Sequence, residues 1–238
     1  MIELLTLTAI IGVLVTLLLT TITRSKAPAQ RARCASNLRQ LGLALQEFVA
    51  ENHVYPLFAN VDFRKGGYPE HHENWIDALE NEKIASKPGQ TFFKMGVWLC
   101  PAAQRPSTFP TNALYMSYGY NAYGLAMTGY PVSLGLGGHK VGLYAQTLAP
   151  PVSESEVAAP ADMMAMGDVF NGGAVFWRDA TVTNSGTAWL RHQGQANVVF
   201  CDDHVESLPV ESLLADTNDT ALARWNRDHL PHHEQLTP

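Results

Sequence analysis

The chain has 238 residues, of which 46% are hydrophobic and 16% are charged, and its formal net charge is −6. This length is enough for one domain with an additional element or for two small domains, and the hydrophobic content excludes a wholly disordered chain. The negative charge balance argues against a basic nucleic-acid-binding protein, so no nucleic-acid partner is expected.

An apolar run of 21 residues occupies the N-terminus, from Ile2 to Ile22, and contains a single charge, that of Glu3. As a helix rising about 1.5 Å per residue it would be about 30 Å long, which matches the hydrocarbon core of a bilayer. The run is longer than the apolar region of a signal peptide, and no basic residue precedes it. The pattern therefore predicts a retained membrane-spanning helix over residues 1–26.

Glu3 is unusual in such a segment. A carboxylate at mid-membrane depth costs roughly 2.5 to 3.5 kcal/mol, and less near the interface. An acid inside a membrane usually has a partner, and the nearest candidate is the positive charge at the N-terminus of another chain.

Basic residues follow the apolar run and give residues 1–40 a positive balance in an otherwise acidic chain. They are Arg24, Lys26, Arg31, Arg33 and Arg39. The positive-inside rule by itself would place the bulk of the chain in the cytoplasm. In a protein that self-associates, the basic segment suits contact with the acidic part of a neighbouring copy, and a solvated juxtamembrane collar is an equal alternative.

Helical spacing continues beyond the apolar run, over residues 27–55. Apolar residues recur there every three or four positions. They are Cys34, Leu38, Leu41, Leu45 and Phe48. This spacing predicts an amphipathic continuation of the helix that ends near Asn52 and packs on a domain. Pro28 is expected to bend the helix or loosen a turn, because its ring removes a backbone donor.

Residues 56–238 are predicted to form a globular domain rich in loops. A short helix is expected over 74–82, and short strands are expected over 97–99, 163–166 and 174–177. A three-stranded antiparallel meander is expected over 187–208, followed by a C-terminal tail. Its strands are 187–192, 196–201 and 204–208. The predicted fold class is α+β, with a long N-terminal helix packed on a small antiparallel sheet domain with long loops.

Six stretches of the sequence resemble one family. They are IELLTLTAIIGVLVTLLL at the N-terminus, RARCASNLRQLGLALQEF after it, Cys-Pro at 100–101, Tyr-Gly-Tyr-Asn at 118–121, RHQGQANVVFCDDHV at 191–205 and RWNRDHLPH at 224–232. In this order they resemble type IV pilins and type II secretion pseudopilins, in particular the prepilin-type family with a C-terminal H-x9-DG signature. Asp202-Asp203 stands at the Asp-Gly of that signature, and Asp tolerates a left-handed turn better than most residues.

The resemblance implies a pilin-like fold and a structural subunit that polymerises through its N-terminal helix into a type IV pilus-like or type II secretion filament. It assigns Glu3 to assembly. The sequence contains no G-x-S-x-G, H-E-x-x-H or Walker motif, so no enzymatic activity is expected, and no cofactor is assigned. The implied partners are further copies of the chain, other pilin-like subunits, the inner-membrane assembly platform, and membrane lipid before assembly. The implied location is the bacterial inner membrane, as a single-pass protein with its domain in the periplasm, or the cell surface once assembled.

Two further implications concern the cysteines and the start of the chain. Cys34 and Cys100 lie in stretches where relatives commonly carry cysteine, whereas Cys201 lies where alanine is usual. The resemblance therefore implies a Cys34–Cys100 disulfide that links the helix to the domain. Met1 stands where the third residue of the mature chain falls in this family, which implies a start that is processed, truncated or misassigned.

A polar cluster near the meander offers an alternative chemistry. His192, Asp168, Asp202, Asp203 and His204 are residue types that ligate zinc or calcium. In a hairpin His192 and Asp202 would lie roughly 16 to 20 Å apart at about 3.3 Å per residue, so they cannot share one metal. Calcium at Asp168, Asp202 and Asp203 stays open, although turn and cap roles are favoured and no metal is assigned.

Two other functions stay open beside the filament subunit. One is a membrane-anchored periplasmic metal-dependent hydrolase that would use Asp168, His192 and Asp202. The other is an anchored binding module that does not polymerise. Tyrosines in the central region could stack on nucleic acid, but without interleaved basic residues they are expected to pin a loop onto the domain. They are Tyr115, Tyr118, Tyr120 and Tyr123. Histidines of the tail, His229, His232 and His233, are expected to be solvated.

Overall fold

The computed structural model describes nine stretches of the chain. They are residues 2–61, 75–81, 96–103, 116–125, 133–137, 139–141, 150–170, 175–178 and 188–236.

A single long helix, α1, runs from Ile2 to Asn52. Its 51 residues would extend about 77 Å at about 1.5 Å per residue. The helix continues through Pro28 without a break. It ends where predicted, because His53 adopts a left-handed φ of 56° and its amide donates a 2.8 Å hydrogen bond to the carbonyl of Val49, as in a helix C-cap.

The two halves of α1 have different surroundings. Every side chain from residue 3 to residue 18 is exposed. Among the helix side chains whose burial the structure describes, which leave out residues 19–24, the first buried one is that of Cys34. The predicted apolar stripe continues from it through Leu38, Leu41 and Leu45, all at most 1% exposed. Within the described part of the chain, no helix combines the length and the apolar character needed to cross a membrane.

The described residues form six strands, which are β1 Ala59–Val61, β2 Tyr118–Tyr120, β3 His139–Val141, β4 Met164–Asp168, β5 Gln195–Phe200 and β6 Val205–Pro209. Four of them form the main antiparallel sheet in the order β2-β4-β5-β6. The other two, β1 and β3, pair in parallel with each other. The shorter helices are α2 Trp75–Asn81, α3 Val210–Ala215 and α4 Asp219–Ala223. The predicted α+β class with a small antiparallel sheet is confirmed.

The predicted meander is correct in its last two strands and wrong in its first. In the segment predicted as the strand 187–192, residues 188–193 form short 3-10 turns that are interrupted at Arg191, with a ψ of 129°, and at His192, whose backbone angles are not helical. His192 and Gln193 have φ values of 52° and 61°, a left-handed conformation that no strand allows. The chain therefore turns at this point, and β4, about thirty residues earlier, takes the place beside β5.

Two other predicted strands differ from the structure. Residues 97–99 overlap a 3-10 helix, Gly96–Trp98, that buries the ring of Trp98. Residue 174 lies outside the described residues, and Val175 forms only an isolated bridge with Tyr120. The predicted helix over 74–82 is confirmed as α2, and the predicted strand over 163–166 is confirmed as β4.

Close packing brings α1 against the sheet beside the β5–β6 turn. A Cβ atom added to Gly42 would lie 2.6 Å from Oδ1 of Asp203 and 2.7 Å from Cγ2 of Val199. Glycine at this position therefore allows the helix to approach the sheet. Arg39, one turn earlier, places its Nε 3.8 Å from Oδ2 of Asp203.

Tyrosine and asparagine side chains join the edge strand β2 to the rest of the domain. The Tyr118 and Tyr120 hydroxyls donate to the carbonyls of Cys34 and Pro56, at 3.3 and 3.2 Å. The Asn121 side chain donates to the carbonyls of Met164 and Trp225, at 2.8 and 2.9 Å. Tyr118 and Tyr120 thus pin β2 onto the N-terminal helix and its extension, whereas Tyr115 lies outside the described residues.

The histidines of the tail take part in contacts with acids. His232 places its two ring nitrogens 2.7 Å from Asp228 and 2.8 Å from Glu234. Partial burial lowers the pKa of His232, but hydrogen bonds to the two acids outweigh it, and the pKa is raised overall. The expectation of a fully solvated tail is therefore wrong at His232.

This contact predicts a pH-dependent contribution to stability. A raised pKa means that the contribution is fully present below the unfolded-state pKa, about 6.5, and is lost as the pH rises through the folded-state value. The His232→Gln variant should lose a small amount of stability at pH 6 relative to wild type and almost none at pH 9, as measured by urea unfolding. His233→Gln, at a side chain that is 53% exposed, is the control. An equal loss at both pH values would contradict the prediction.

Candidate functional site

The exposed apolar half of α1 is the first candidate site. It presents large side chains to solvent, among them Leu4 at 66%, Leu14 at 60% and Leu18 at 61% exposure. Contiguous apolar surface of this kind marks an interaction site with protein or membrane. Glu3 lies exposed in the first turn of the helix, and its backbone carbonyl accepts a 2.9 Å hydrogen bond from the Thr6 hydroxyl.

A second candidate lies where α1 meets the domain, and we call it the disulfide cluster. It consists of Cys34, Cys100, Asp168, Arg191 and His192. Cys34 lies on α1, Cys100 follows the 3-10 helix 96–98, and Asp168 ends β4. Arg191 and His192 form the non-helical kink within residues 188–193. All five are at most 6% exposed.

The structure joins Cys34 to Cys100, the pair that the family resemblance implies. Their Cα atoms are 5.0 Å apart, and the bond closes a loop with a sequence separation of 66. Cys201 is free and buried. Burial raises the pKa of the Cys201 thiol to about 12, with Asp202 adding to the effect against a hydrogen bond with Tyr55 that lowers it. The Cys201 thiol is therefore protonated and unreactive at neutral pH.

His192 stands between the disulfide and a carboxylate. Its Nε2 lies 3.2 Å from Sγ of Cys100 and 3.4 Å from Oδ2 of Asp168. Its Nδ1 is buried and has no hydrogen-bond partner among the described residues. Burial lowers the pKa of His192, with Asp168 opposing this, so the ring is neutral at neutral pH.

Asp168 and Arg191 form a buried ion pair within a wider hydrogen-bond network. Nη1 of Arg191 lies 3.4 Å from Oδ1 of Asp168 and donates at 2.9 Å to the carbonyl of Val169. Oδ2 of Asp168 accepts from the backbone N–H of Asn197 at 2.8 Å and from its side-chain amide at 3.3 Å. The carboxylate and the guanidinium thus have several partners each, as buried charges require.

The structure separates the residues that were grouped for calcium or for hydrolysis. Asp168 contacts Asn197 near the start of β5, whereas Asp202 follows the end of that strand. Five residues of strand correspond to about 16 Å, so one ion or one substrate atom cannot contact both. The grouping of Asp168, His192 and Asp202 as a hydrolase site is wrong in this respect: Asp168 and His192 meet, but Asp202 lies apart.

Asp202 and Asp203 take the turn roles that the sequence favoured. Oδ1 of Asp202 accepts from the backbone N–H of His204 at 3.2 Å and lies 2.5 Å from its ring. Burial alone would raise the pKa of Asp202, but these bonds lower it overall. Asp203 adopts a φ of 76°, as expected for the position where the family has glycine. Burial raises the pKa of Asp203, with Arg39 opposing this.

Sequence reasoning missed two members of the buried network and its position beside the disulfide. Arg191 and Asn197 carry the charge balance and the hydrogen bonds of Asp168. The signal available was the charged Arg191 directly before His192, in a segment that precedes the mostly apolar strand β5. Nothing local in the sequence indicated that His192 would contact Cys100.

Comparisons with protein-family models, with curated proteins and with solved structures gave no significant match. Membership of the pilin-like family therefore stays a prediction that rests on the residues quoted above.

Proposed function

We propose that the chain is a pilin-like or pseudopilin subunit that polymerises through α1 into a type IV pilus-like or type II secretion filament. The observation that carries the proposal is the contrast between the halves of one continuous helix. The first half exposes every described side chain from residue 3 to residue 18, while the second half is the central support of a folded domain.

The exposed half needs an apolar environment. Complete burial of one leucine-sized side chain is worth about 1.5 to 3 kcal/mol. Leaving the ten large apolar side chains of residues 3–18 in water is therefore strongly unfavourable. A bilayer supplies such an environment before assembly, and a bundle of the same helices supplies it within a filament. We therefore propose a single-pass inner-membrane subunit, with its domain in the periplasm, that moves into a filament core.

The domain half of α1 is suited to transmit load. The disulfide joins Cys34 on the helix to Cys100 in the domain. Tyrosine hydroxyls also bond to the carbonyl of Cys34, where the buried stripe of α1 begins, and to the carbonyl of Pro56, just after the helix ends. A filament subunit pulled through its helix therefore resists separation of helix and domain. The basic residues 24–39 and the acidic domain supply complementary charges for contacts between neighbouring copies or other pilin-like subunits.

Glu3 supplies the proposed register between subunits. Its carboxylate, enclosed among apolar helices, would carry a desolvation penalty of several kcal/mol unless a neighbour's N-terminal ammonium pairs with it. Glu3 and the neighbour's N-terminal ammonium can meet at only one axial offset between two neighbouring helices. This ion pair therefore selects the stagger of the helices.

The Glu3→Ala variant tests this role. We expect it to remain in the membrane but to form few filaments, because no carboxylate selects the stagger of neighbouring helices. Filaments are counted by electron microscopy of sheared material from cells that carry the assembly apparatus. Glu47→Ala, an exposed acid on the packed half of the same helix, is the matched control. If Glu3→Ala assembled at the wild-type rate and with the same symmetry, the carboxylate would not set the register.

A charge on the exposed apolar face tests the helix itself. Leu14→Asp places a carboxylate in the middle of the exposed half and should abolish membrane residence or filament formation, since it costs about 2.5 to 3.5 kcal/mol in an apolar environment. Leu230→Asp, at a leucine that is 55% exposed on the domain, is the control. The domain of both variants should unfold at the wild-type temperature. Normal filaments from Leu14→Asp would count against polymerisation through α1.

A non-polymerising binding module is distinguished by the same microscopy. An anchored module would leave no filaments in sheared material from wild-type cells, whatever residue stands at position 3. The hydrolase has less structural support, because Asp202 lies apart from Asp168 and His192.

A further inference from the structure

Three side chains of types that bind zinc meet in the disulfide cluster. Sγ of Cys34, Sγ of Cys100 and a ring nitrogen of His192 all lie within 4.8 Å of one another, and the three residues are buried. Two thiolates and an imidazole are ligands typical of zinc. In the disulfide state the sulfurs are joined to each other and cannot act as thiolates.

We propose that the cluster has a second, reduced state in which Cys34, Cys100 and His192 bind one zinc ion. In a tetrahedral zinc site with bonds of about 2.3 Å to sulfur and 2.0 to 2.1 Å to nitrogen, neighbouring ligand atoms are about 3.6 to 3.8 Å apart. The present distance from Nε2 to Sγ of Cys100 is 3.2 Å. Cleavage of the disulfide frees the sulfurs to move apart by the distance that zinc requires.

The conformation and surroundings of His192 fit a ligand. His192 has a φ of 52°, a backbone conformation that is unfavourable for a non-glycine residue. Residues in such conformations are concentrated at functional sites. Its buried Nδ1 has no partner among the described residues and is the position for the ring proton when Nε2 binds metal.

The charges of the cluster balance around a divalent cation. Oδ2 of Asp168 lies 3.4 Å from the same Nε2, within reach of the fourth coordination position. Two thiolates and one carboxylate carry three negative charges, and zinc with the guanidinium of Arg191 carries three positive charges. A buried site of zero net charge avoids the penalty of an unpaired charge.

The change of state requires a two-electron reductant. A dithiol donates two electrons and two protons to the Cys34–Cys100 bond, yielding two cysteine thiols, and is itself converted to a cyclic disulfide. Zinc then displaces both thiol protons to solvent as it forms two Zn–S bonds. The disulfide and the zinc site exclude each other, because each uses both sulfur atoms.

The test uses the full chain purified in detergent, with zinc as the only added metal. A water-soluble phosphine replaces the dithiol, because dithiols themselves bind zinc; it takes oxygen from water and leaves two cysteine thiols. After removal of free metal, the reduced chain should retain one zinc per chain and the oxidised chain none. A reduced chain that retains no zinc would overturn the proposal.

Variants identify the ligands. His192→Ala should weaken zinc binding by at least about tenfold, whereas Cys201→Ala, which removes the free thiol, should retain full binding. Cobalt in place of zinc should give a thiolate charge-transfer band in the reduced wild type and in Cys201→Ala. Unchanged affinity in His192→Ala, or loss of binding in Cys201→Ala, would overturn the assignment of ligands.

A folding measurement separates a native site from binding by an unfolded chain. Zinc should raise the unfolding temperature of the reduced wild type and leave that of the oxidised chain unchanged, because a ligand stabilises only the state that binds it. Zinc bound without a rise in unfolding temperature would show that the folded cluster is not the site. These measurements do not involve filaments, so their outcome is independent of the proposed function.

Discussion

Replacing Cys34 and Cys100 together by alanine is expected to lower the free energy of unfolding by about 4 kcal/mol. The bond closes a loop with a sequence separation of 66. In the chain-entropy account, a cross-link of that span lowers the conformational entropy of the unfolded chain and thereby raises the free energy of unfolding by about this amount. The loss is a large share of the 5 to 15 kcal/mol that typically separates folded from unfolded states. Urea unfolding followed by tryptophan fluorescence, with a metal chelator present, measures it.

The matched control is Cys201→Ala, which removes a buried cysteine but leaves the bond intact. It should lose less stability than the double variant, since it does not enlarge the unfolded ensemble. If the two variants had the same urea midpoint, the disulfide would contribute little to the stability of the domain.

Replacing Asp168 by alanine is expected to cost about 3 to 5 kcal/mol of unfolding free energy. The Asp168 side chain is fully buried and that of Arg191 is 5% exposed, so the substitution leaves a buried guanidinium without its carboxylate. It also removes the acceptor of the Asn197 backbone N–H. Asp202→Ala, at a side chain that is 38% exposed, is the control and should lose at most about 1 kcal/mol.

The double variant Asp168→Ala/Arg191→Ala shows the source of the loss. It removes both charges, so its destabilisation should be smaller than the sum of the two single losses. Strict additivity in urea unfolding would show that the two side chains stabilise the fold independently of each other.

The local elements were predictable because local patterns specify them. The amphipathic spacing from Cys34 to Phe48 predicted a helix that ends near Asn52, and α1 ends at Asn52. The apolar segment 196–201 and the Asp202-Asp203 turn likewise correspond to β5 and its hairpin with β6. Such features depend on residues within about one turn or one hairpin of each other.

The partners of β5 were not predictable in the same way. The segment before β5 has a strand-like composition, yet it turns back at His192, whose left-handed conformation no strand allows and whose ring lies in the core beside the disulfide. The place in the sheet then goes to β4, whose five residues are all buried. A choice between two candidate strands depends on tertiary contacts that no short window contains.

The sequence by itself determined the division of the chain into a long helix and an α+β domain, since periodicity and composition indicate which faces of helices and strands are buried away from water. It also pointed, through a resemblance, to the cysteine pair that the structure joins. Only the tertiary structure decided that His192 meets Cys100, that Arg191 balances Asp168 and that Asp202 lies apart from both. The reason is that Cys34, Cys100 and His192 come from segments dozens of residues apart, and their meeting depends on how the helix, the loop after Trp98 and the sheet pack together.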